Sequence, residues 1–582
     1  MKTEWSLDVI YKGVDDPAYI ADFAELEKMV EDFSSLVKRA EELSAKEQAE
    51  ALLSAQEKMA EVSYRLGLYL ELRQSVNTED GEAMAQLNRL QKLLSKSAAS
   101  DSAAQKLLAQ LSDIDGLAAE SEIVKAYHFL LKQNQKAAKH LLSDEVEEMV
   151  ASMNMTGGSA WGNLFSYLTS TVKVDYDGKE VTLSEIRNLA YSPDAAVRKA
   201  AYEAEIKAYE KIQDSLAFSL NNIKSQVTML CEKRGYESPL SMTLEQSRMS
   251  RATLDAMMGA IKEYLPVFRK YLRKKGEMLG HTNGLPWYDL FAPMGKAERT
   301  FTLEEARDYL TDTFKAFTPE MADMMREAFE QEWIDFYPKK GKEGGAFCAG
   351  APFLKQSRIL TNYDGYFGSV DTLAHELGHA FHNRQLENER PLNQDYPMPV
   401  AETASTFNEI YLVKHALLTA EGEERLNLLE NDLMEQTQCI VDIYSRYLFE
   451  TAVFEQGKEK FLMAEDCKQL MLKAQDEAYG EGLDPEYRHP YMWACKSHYY
   501  SESLSFYNFP YAFGNLFAMG LYSLYTQEKD SFIEKYKAML TATPCCTIEE
   551  AGAMMGVDLT TEDFWRASLQ QIAELIEDFC KM

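Results

Sequence analysis

The chain has 582 residues, enough for a large buried core, with 46% hydrophobic and 26% charged residues, the proportions of a water-soluble globular protein. Its 61 Lys and Arg against 93 Asp and Glu give a formal net charge of −32, which argues against nucleic acid and anionic membranes as partners. No run of about 18 apolar residues is present, so no membrane-spanning helix is expected.

The opening stretch MKTEWSLDVIYKG alternates polar and apolar residues and lacks the apolar core of a signal peptide. The eight cysteines (Cys231, Cys348, Cys439, Cys467, Cys495, Cys545, Cys546 and Cys580) form no CxxC pair. Free thiols and a cytoplasmic location are therefore expected.

Residues 22–113 carry Ala/Leu/Glu/Lys/Gln-rich stretches with apolar positions at helical spacing, as in Leu26, Met29, Val30 and Phe33. Similar patterns predict helices within 184–235, 250–280 and 303–336, with breaks at Asn154–Gly158, Asp175–Gly178, Ser192–Asp194 and His281–Pro286. Two β segments interrupt them. Thr171–Asp175 and Lys179–Thr182 flank an Asp177–Gly178 turn, the signature of a hairpin. Arg358–Tyr363 reads as a strand after the glycine-rich Gly341–Gly350, which lacks a phosphate-loop pattern and reads as a loop beside a cleft. The fold class expected is mainly α, with an N-terminal helical region over 1–185 and the remainder, 186–582, forming a middle and a C-terminal lobe.

The informative motif is HExxH, His375-Glu376-Leu377-Gly378-His379. On a helix, positions i and i+4 share a face, so both imidazoles can reach one metal ion, while Glu376 can approach a water beside it. The apolar flanks Leu373, Ala374, Leu377, Ala380 and Phe381 place this helix in the interior, where two imidazoles and a carboxylate need a compensating charge such as a divalent cation. Gly378 disfavours helix by roughly 1 kcal/mol relative to Ala, which points to close packing at that position. Zinc peptidases with two helix histidines need a third protein ligand and an open position for water. His382 and Gln385 stand where the longer HExxHxxGxxH motif has Gly and His, so a downstream carboxylate is the expectation. Pro397 and Pro399 introduce a new helix, with Glu402 near its start, 23 residues after His379. By spacing alone, Glu402 is equally a metal ligand or a carboxylate favouring a helix N-terminus. Glu409, seven residues on and on the same face, is placed to hydrogen-bond a ligand.

HELGHAFH followed by AETASTFNE resembles the thimet oligopeptidase family of metallopeptidases, in its oligoendopeptidase F branch. The likeness runs along most of the chain, through Trp5, Asp15-Asp16-Pro17, Trp287-Tyr-Asp-Leu290, Gly556-Val-Asp558 and Phe564-Trp565. The resemblance makes Glu402 the third ligand, with His375 and His379, of a single Zn2+, and Glu376 the general base. It implies a two-lobed helical body with a deep channel, a small sheet beside the HExxH helix, and endopeptidase activity on short oligopeptides. His498 and Tyr511 are similar to the family's oxyanion-binding residues. The interval between them differs slightly from other branches, and Tyr507 lies within it as a further candidate. The competing activities are a carboxypeptidase or dipeptidyl carboxypeptidase, and a catalytically silent peptide-binding homologue. His382, His489 and the other histidines read as structural.

Overall fold

Apolar residues recurring every three or four positions along Pro17–Arg39 bury Tyr19, Phe23, Leu26, Val30, Phe33 and Val37 on one face. Asp16 caps this helix and Pro17 opens it; Ser44 and Glu47 form a reciprocal capping box at the start of Ala45–Val76. These two helices, with Gly81–Leu94, Ala98–Ala109 and shorter segments, enclose a hydrophobic core running from Tyr11 to Leu131. A second and larger core runs from Phe165 to Phe579. The computed structural model describes residues 2–296 and 299–582.

Among the described residues there are twenty-six α-helices and five short strands, a mainly α protein as the sequence indicates. The predicted hairpin forms from β1 (Val174–Tyr176) and β2 (Lys179–Val181), with Asp177 and Gly178 both at positive φ, 49° and 72°. The 303–336 pattern divides at Thr318 and Pro319 into Leu303–Lys315 and Pro319–Glu330.

The second sheet corrects two expectations. Strand β5 occupies Gln356–Leu360, not Arg358–Tyr363, and lies between β3 (Ile334–Asp335) and β4 (Phe347–Ala351). The glycine-rich stretch is therefore not wholly a loop, because its second half is β4, antiparallel to β5. As the central strand, β5 has both edges paired. The outer side of β3 is covered by the start of the chain: Phe336 N–H donates to the Thr3 carbonyl, and Ser6 N–H to that of Glu332. The accessible edge is β4, where the Tyr64 hydroxyl, from the helix Ala45–Val76, donates to the Gly350 carbonyl at 2.7 Å. A cavity of about 1280 Å3 opens between the N-terminal helices and this sheet, with Tyr64, Gly350, Asn383 and Tyr396 in its walls.

The HExxH segment lies on the helix Phe367–Gln385, packed against both the sheet and the helix Thr403–Leu417. The second contact is too close for any side chain at position 378. A Cβ there would lie 2.5 Å from the Ala404 carbonyl oxygen and 2.6 Å from Ser405 Cα. Asn408, fully buried, donates to the Ala374 carbonyl at 3.0 Å and fixes the two helices lengthwise. Gly368 on the same helix has nothing within 4 Å of a Cβ position.

Gly378→Ala is expected to destabilise the fold by about 1–3 kcal/mol, because backbone must move. Gly368→Ala should be neutral or stabilising by up to about 1 kcal/mol. Urea denaturation of the two variants beside the parent checks the contrast, and equal stabilities would refute the close-approach argument.

Candidate metal centre

The HExxH helix presents His375 and His379 one turn apart, with their Nε2 atoms 3.2 Å from each other. Across the close contact at Gly378, the chain passes from the short helix Met398–Ala401 into Thr403–Leu417, and Glu402 sits at the junction. Its Oε2 lies 3.4 Å from His375 Nε2 and 3.3 Å from His379 Nε2. Ligand atoms about 2.0–2.2 Å from a tetrahedral ion stand about 3.3–3.6 Å apart. The three donors thus have the mutual spacing of a coordination shell, and they face one another. The residue types are those that bind zinc.

The neighbours orient these donors. His375 donates from Nδ1 to Glu409 Oε1 at 2.9 Å, which fixes the ring with Nε2 toward His379 and Glu402. Ser405 Oγ donates to Glu402 Oε2 at 2.8 Å and fixes that carboxylate. Burial alone would disfavour a charged His375, yet the Glu402 and Glu409 carboxylates push its pKa up to about 11. The opposite shift holds for Glu402: burial raises it, but the two imidazoles outweigh burial and hold it well below the usual carboxylate range. Burial raises the pKa of Asp371, as do the Glu409, Glu435 and Asp432 carboxylates, and burial raises that of Asp432 against the pull of Gln436 and Lys414.

Glu376 is 5% exposed, and its Oε2 has no hydrogen-bond partner. Burial raises its pKa, against the opposing pull of His375 and His379. A buried carboxylate with a free oxygen beside three converging donors is poised to accept a proton. The Cys348 thiol of β4 lies near it, its pKa raised by burial and by the Glu376 charge.

His498, Tyr507 and Tyr511 are also brought together. The His498 ring centroid is 5.0 Å from that of Tyr507 and 6.2 Å from that of Tyr511, and the two tyrosine rings are 5.6 Å apart. Burial, then the neighbouring Tyr507, push the Tyr511 phenol up to about 12, and the Glu402 charge adds to the rise. One turn later, a Cβ at Gly514 would lie 3.4 Å from Glu402 Cβ, so this helix, Phe509–Glu528, packs directly on the junction that carries Glu402. The Tyr507 hydroxyl reaches the Met398 sulfur at 3.6 Å. His498 has its pKa lowered by burial and by the Arg446 and Lys496 charges, so it is neutral at neutral pH. Ser405, Tyr64 and Cys348 escaped the sequence reading. Only Ser405 carried a local signal, a hydroxyl three residues after a carboxylate near a helix start.

The large cavity adjoins this group without including it, since His375, His379 and Glu402 are absent from its walls. Tyr396 links the two, facing the cavity while close enough to feel the Cys348 and Glu402 charges.

Comparison with known proteins places this geometry in context. Residues 188–571 match the profile described as peptidase family M3, and residues 109–173 match that described as oligopeptidase F. Oligopeptidase PepF of Bacillus subtilis is 26% identical over 475 residues, 79% of this chain and 69% of its own. An oligoendopeptidase F homolog of Mycoplasma pneumoniae is 23% identical over 609 residues, 98% of this chain and 97% of its own. The fold is similar to that of a crystallised Chlamydophila abortus protein, with TM-score 0.86 at 21% identity over 100% of this chain and 98% of that one. Oligoendopeptidase-F of Enterococcus faecium gives TM-score 0.68 at 20% identity, covering 96% of this chain and 98% of that one.

Removal of the Glu409 carboxylate, as Glu409→Ala, is expected to weaken divalent-cation binding by about 10–100-fold with the secondary structure intact. Competition with a chromogenic chelator measures it, and unchanged affinity would remove Glu409 from its assigned role.

Proposed function

The chain belongs to peptidase family M3, and on that footing we propose that it is a zinc-dependent endopeptidase hydrolysing short oligopeptides. The observation that carries the proposal is the convergence of His375, His379 and Glu402 beside the unpartnered Glu376. The oligoendopeptidase name of the relatives supports internal cleavage of oligopeptides over removal of terminal residues. Eight unpaired cysteines suit a reducing cytoplasm.

His375, His379 and Glu402 would hold a zinc ion, and Glu409 and Ser405 orient two of them. Zinc would supply Lewis acidity there, acidifying water and polarising a carbonyl. Glu376 takes a proton from the attacking water and returns it to the leaving amine as the peptide bond breaks. Burial raises its pKa above the ordinary carboxylate value. On the facing wall, Tyr511 stays protonated and donates to the oxyanion developing at the scissile carbonyl. Neutral His498 donates from one ring N–H, and Tyr507 packs against both and steadies them.

An extended substrate pairs its backbone with the accessible edge of β4, not with β5. Main-chain pairing gives affinity with little dependence on side chains. The cavity between the sheet and the N-terminal helices receives the rest of the peptide and admits no folded domain.

Glu376→Gln should retain zinc and lose kcat by at least about 100-fold. Normal turnover by a zinc-loaded Glu376→Gln enzyme would remove the base from this mechanism. Hydrolysis of a quenched peptide blocked at both ends should cease after chelation and return with zinc; cleavage confined to peptides with a free terminus would instead indicate an exopeptidase. Tyr511→Phe is expected to lower kcat by about 100–1,000-fold with little change in KM, and a change in KM alone would make Tyr511 a binding residue.

A further inference from the structure

His489 lies far along the chain from the HExxH helix and is 1% exposed, enclosed by the rings of Tyr202, Tyr209 and Trp287. Among the described residues it is the one histidine with both ring nitrogens buried and unpartnered. An imidazole so placed is costly unless something absent from the protein's own atoms satisfies it. The groups around it are ligands. Glu205 Oε2 lies 3.5 Å from His489 Nε2, and the other Glu205 oxygen lies 3.7 Å from Cys495 Sγ. One donor atom from each of the three residues falls within 4.8 Å of the others.

These separations differ from those of hydrogen-bonded histidine–carboxylate pairs in the same chain. His281–Asp289, His128–Asp115 and His375–Glu409 close to 2.6, 2.7 and 2.9 Å. The His489–Glu205 gap matches instead the 3.3 and 3.4 Å between Glu402 and its two histidines. The remaining wide pair among the described residues, His140–Glu245 at 3.5 Å, is partly open to solvent, and His140 Nδ1 already contacts the Arg234 carbonyl. A tetrahedral zinc ion sets N···O near about 3.4 Å.

We infer that Glu205, His489 and Cys495 form a second metal site, taking a divalent cation of zinc type. Thiolate, imidazole and carboxylate together favour zinc over hard cations such as magnesium or calcium. Binding releases to solvent the Cys495 thiol proton, which now contacts the Tyr491 carbonyl at 3.3 Å. The thiolate and the Glu205 carboxylate then balance the divalent charge. Arg187, 3.3 Å from Glu205 Oε1, holds the oxygen directed away from His489. The role is structural. Glu205 belongs to the long helix Ala195–Lys233, while Cys495 ends the helix Met492–Cys495, three residues before His498. The ion would pin the segment that carries His498 to the longest helix of the chain.

Cobalt(II) is the probe, because His375, His379 and Glu402 offer it no sulfur. Metal-free full-length protein reloaded with cobalt should bind about two ions per chain and show a near-ultraviolet thiolate-to-cobalt charge-transfer band. Cys495→Ser should abolish the band and lower the stoichiometry to about one. His375→Ala should also bind about one ion but keep the band, which separates this site from the HExxH centre. One cobalt per chain without the band in the unsubstituted protein overturns the inference, whatever the variants do. A band that survives Cys495→Ser also overturns it, by assigning the sulfur to another cysteine.

Discussion

The distance between two helices governs the rest of this structure. His375 and His379 are fixed to one another by a single helical turn, but the third donor must arrive from a separate helix and end within 3.3–3.4 Å of both. A side chain at position 378 would hold the helices apart, and glycine there lets the backbone of Ala404 and Ser405 fill the space. The loss of helix propensity at one residue, roughly 1 kcal/mol, is the local cost of assembling the centre. From that contact follow the Glu409 hydrogen bond to His375, the seating of Ser405 on Glu402, and the Asn408 bond that sets the lengthwise register.

What could be read from the sequence follows the range of the interactions. The histidine pair, Glu376 and the Asp177–Gly178 turn are local patterns, set by helix periodicity or by the positive φ of two adjacent residues, and they stand where periodicity places them. Glu409 was legible because seven residues make two helical turns. Gly378 was legible as a packing position but not as to its partner. The strand in the glycine-rich stretch was hidden because Phe-Cys-Ala-Gly-Ala has little intrinsic β preference and is held by its ladder with β5. Its small residues serve another contact, since a Cβ at Gly350 would lie 3.1 Å from the Asn383 side chain. Tyr64 and Gly350 are 286 positions apart, and no local signal joins them.

The placement of His498, Tyr507 and Tyr511 depends on buried charge. Lys224 of the long helix meets Glu450 at 2.7 Å, both nearly fully buried, and Glu450 also accepts from Asn508 at 2.9 Å. Asn508 in turn caps the helix Phe509–Glu528, which begins two residues before Tyr511. Removal of either charge would leave the other stranded in the interior, a loss of about 3–5 kcal/mol in comparable pairs. The position of Tyr511 is thereby tied to Lys224 and Glu450, on two other helices.

The covering of β3 by the first residues of the chain has a consequence for solubility. An exposed strand edge recruits other strands, and sheets open on both sides can grow without limit into fibrils. Here Thr3 and Ser6 close one side, so the sheet has a single place where another backbone can join. Two copies meeting through β4 would seal each other, and growth would stop at a pair. The protein can keep the β4 edge open because its sheet cannot seed an endless one.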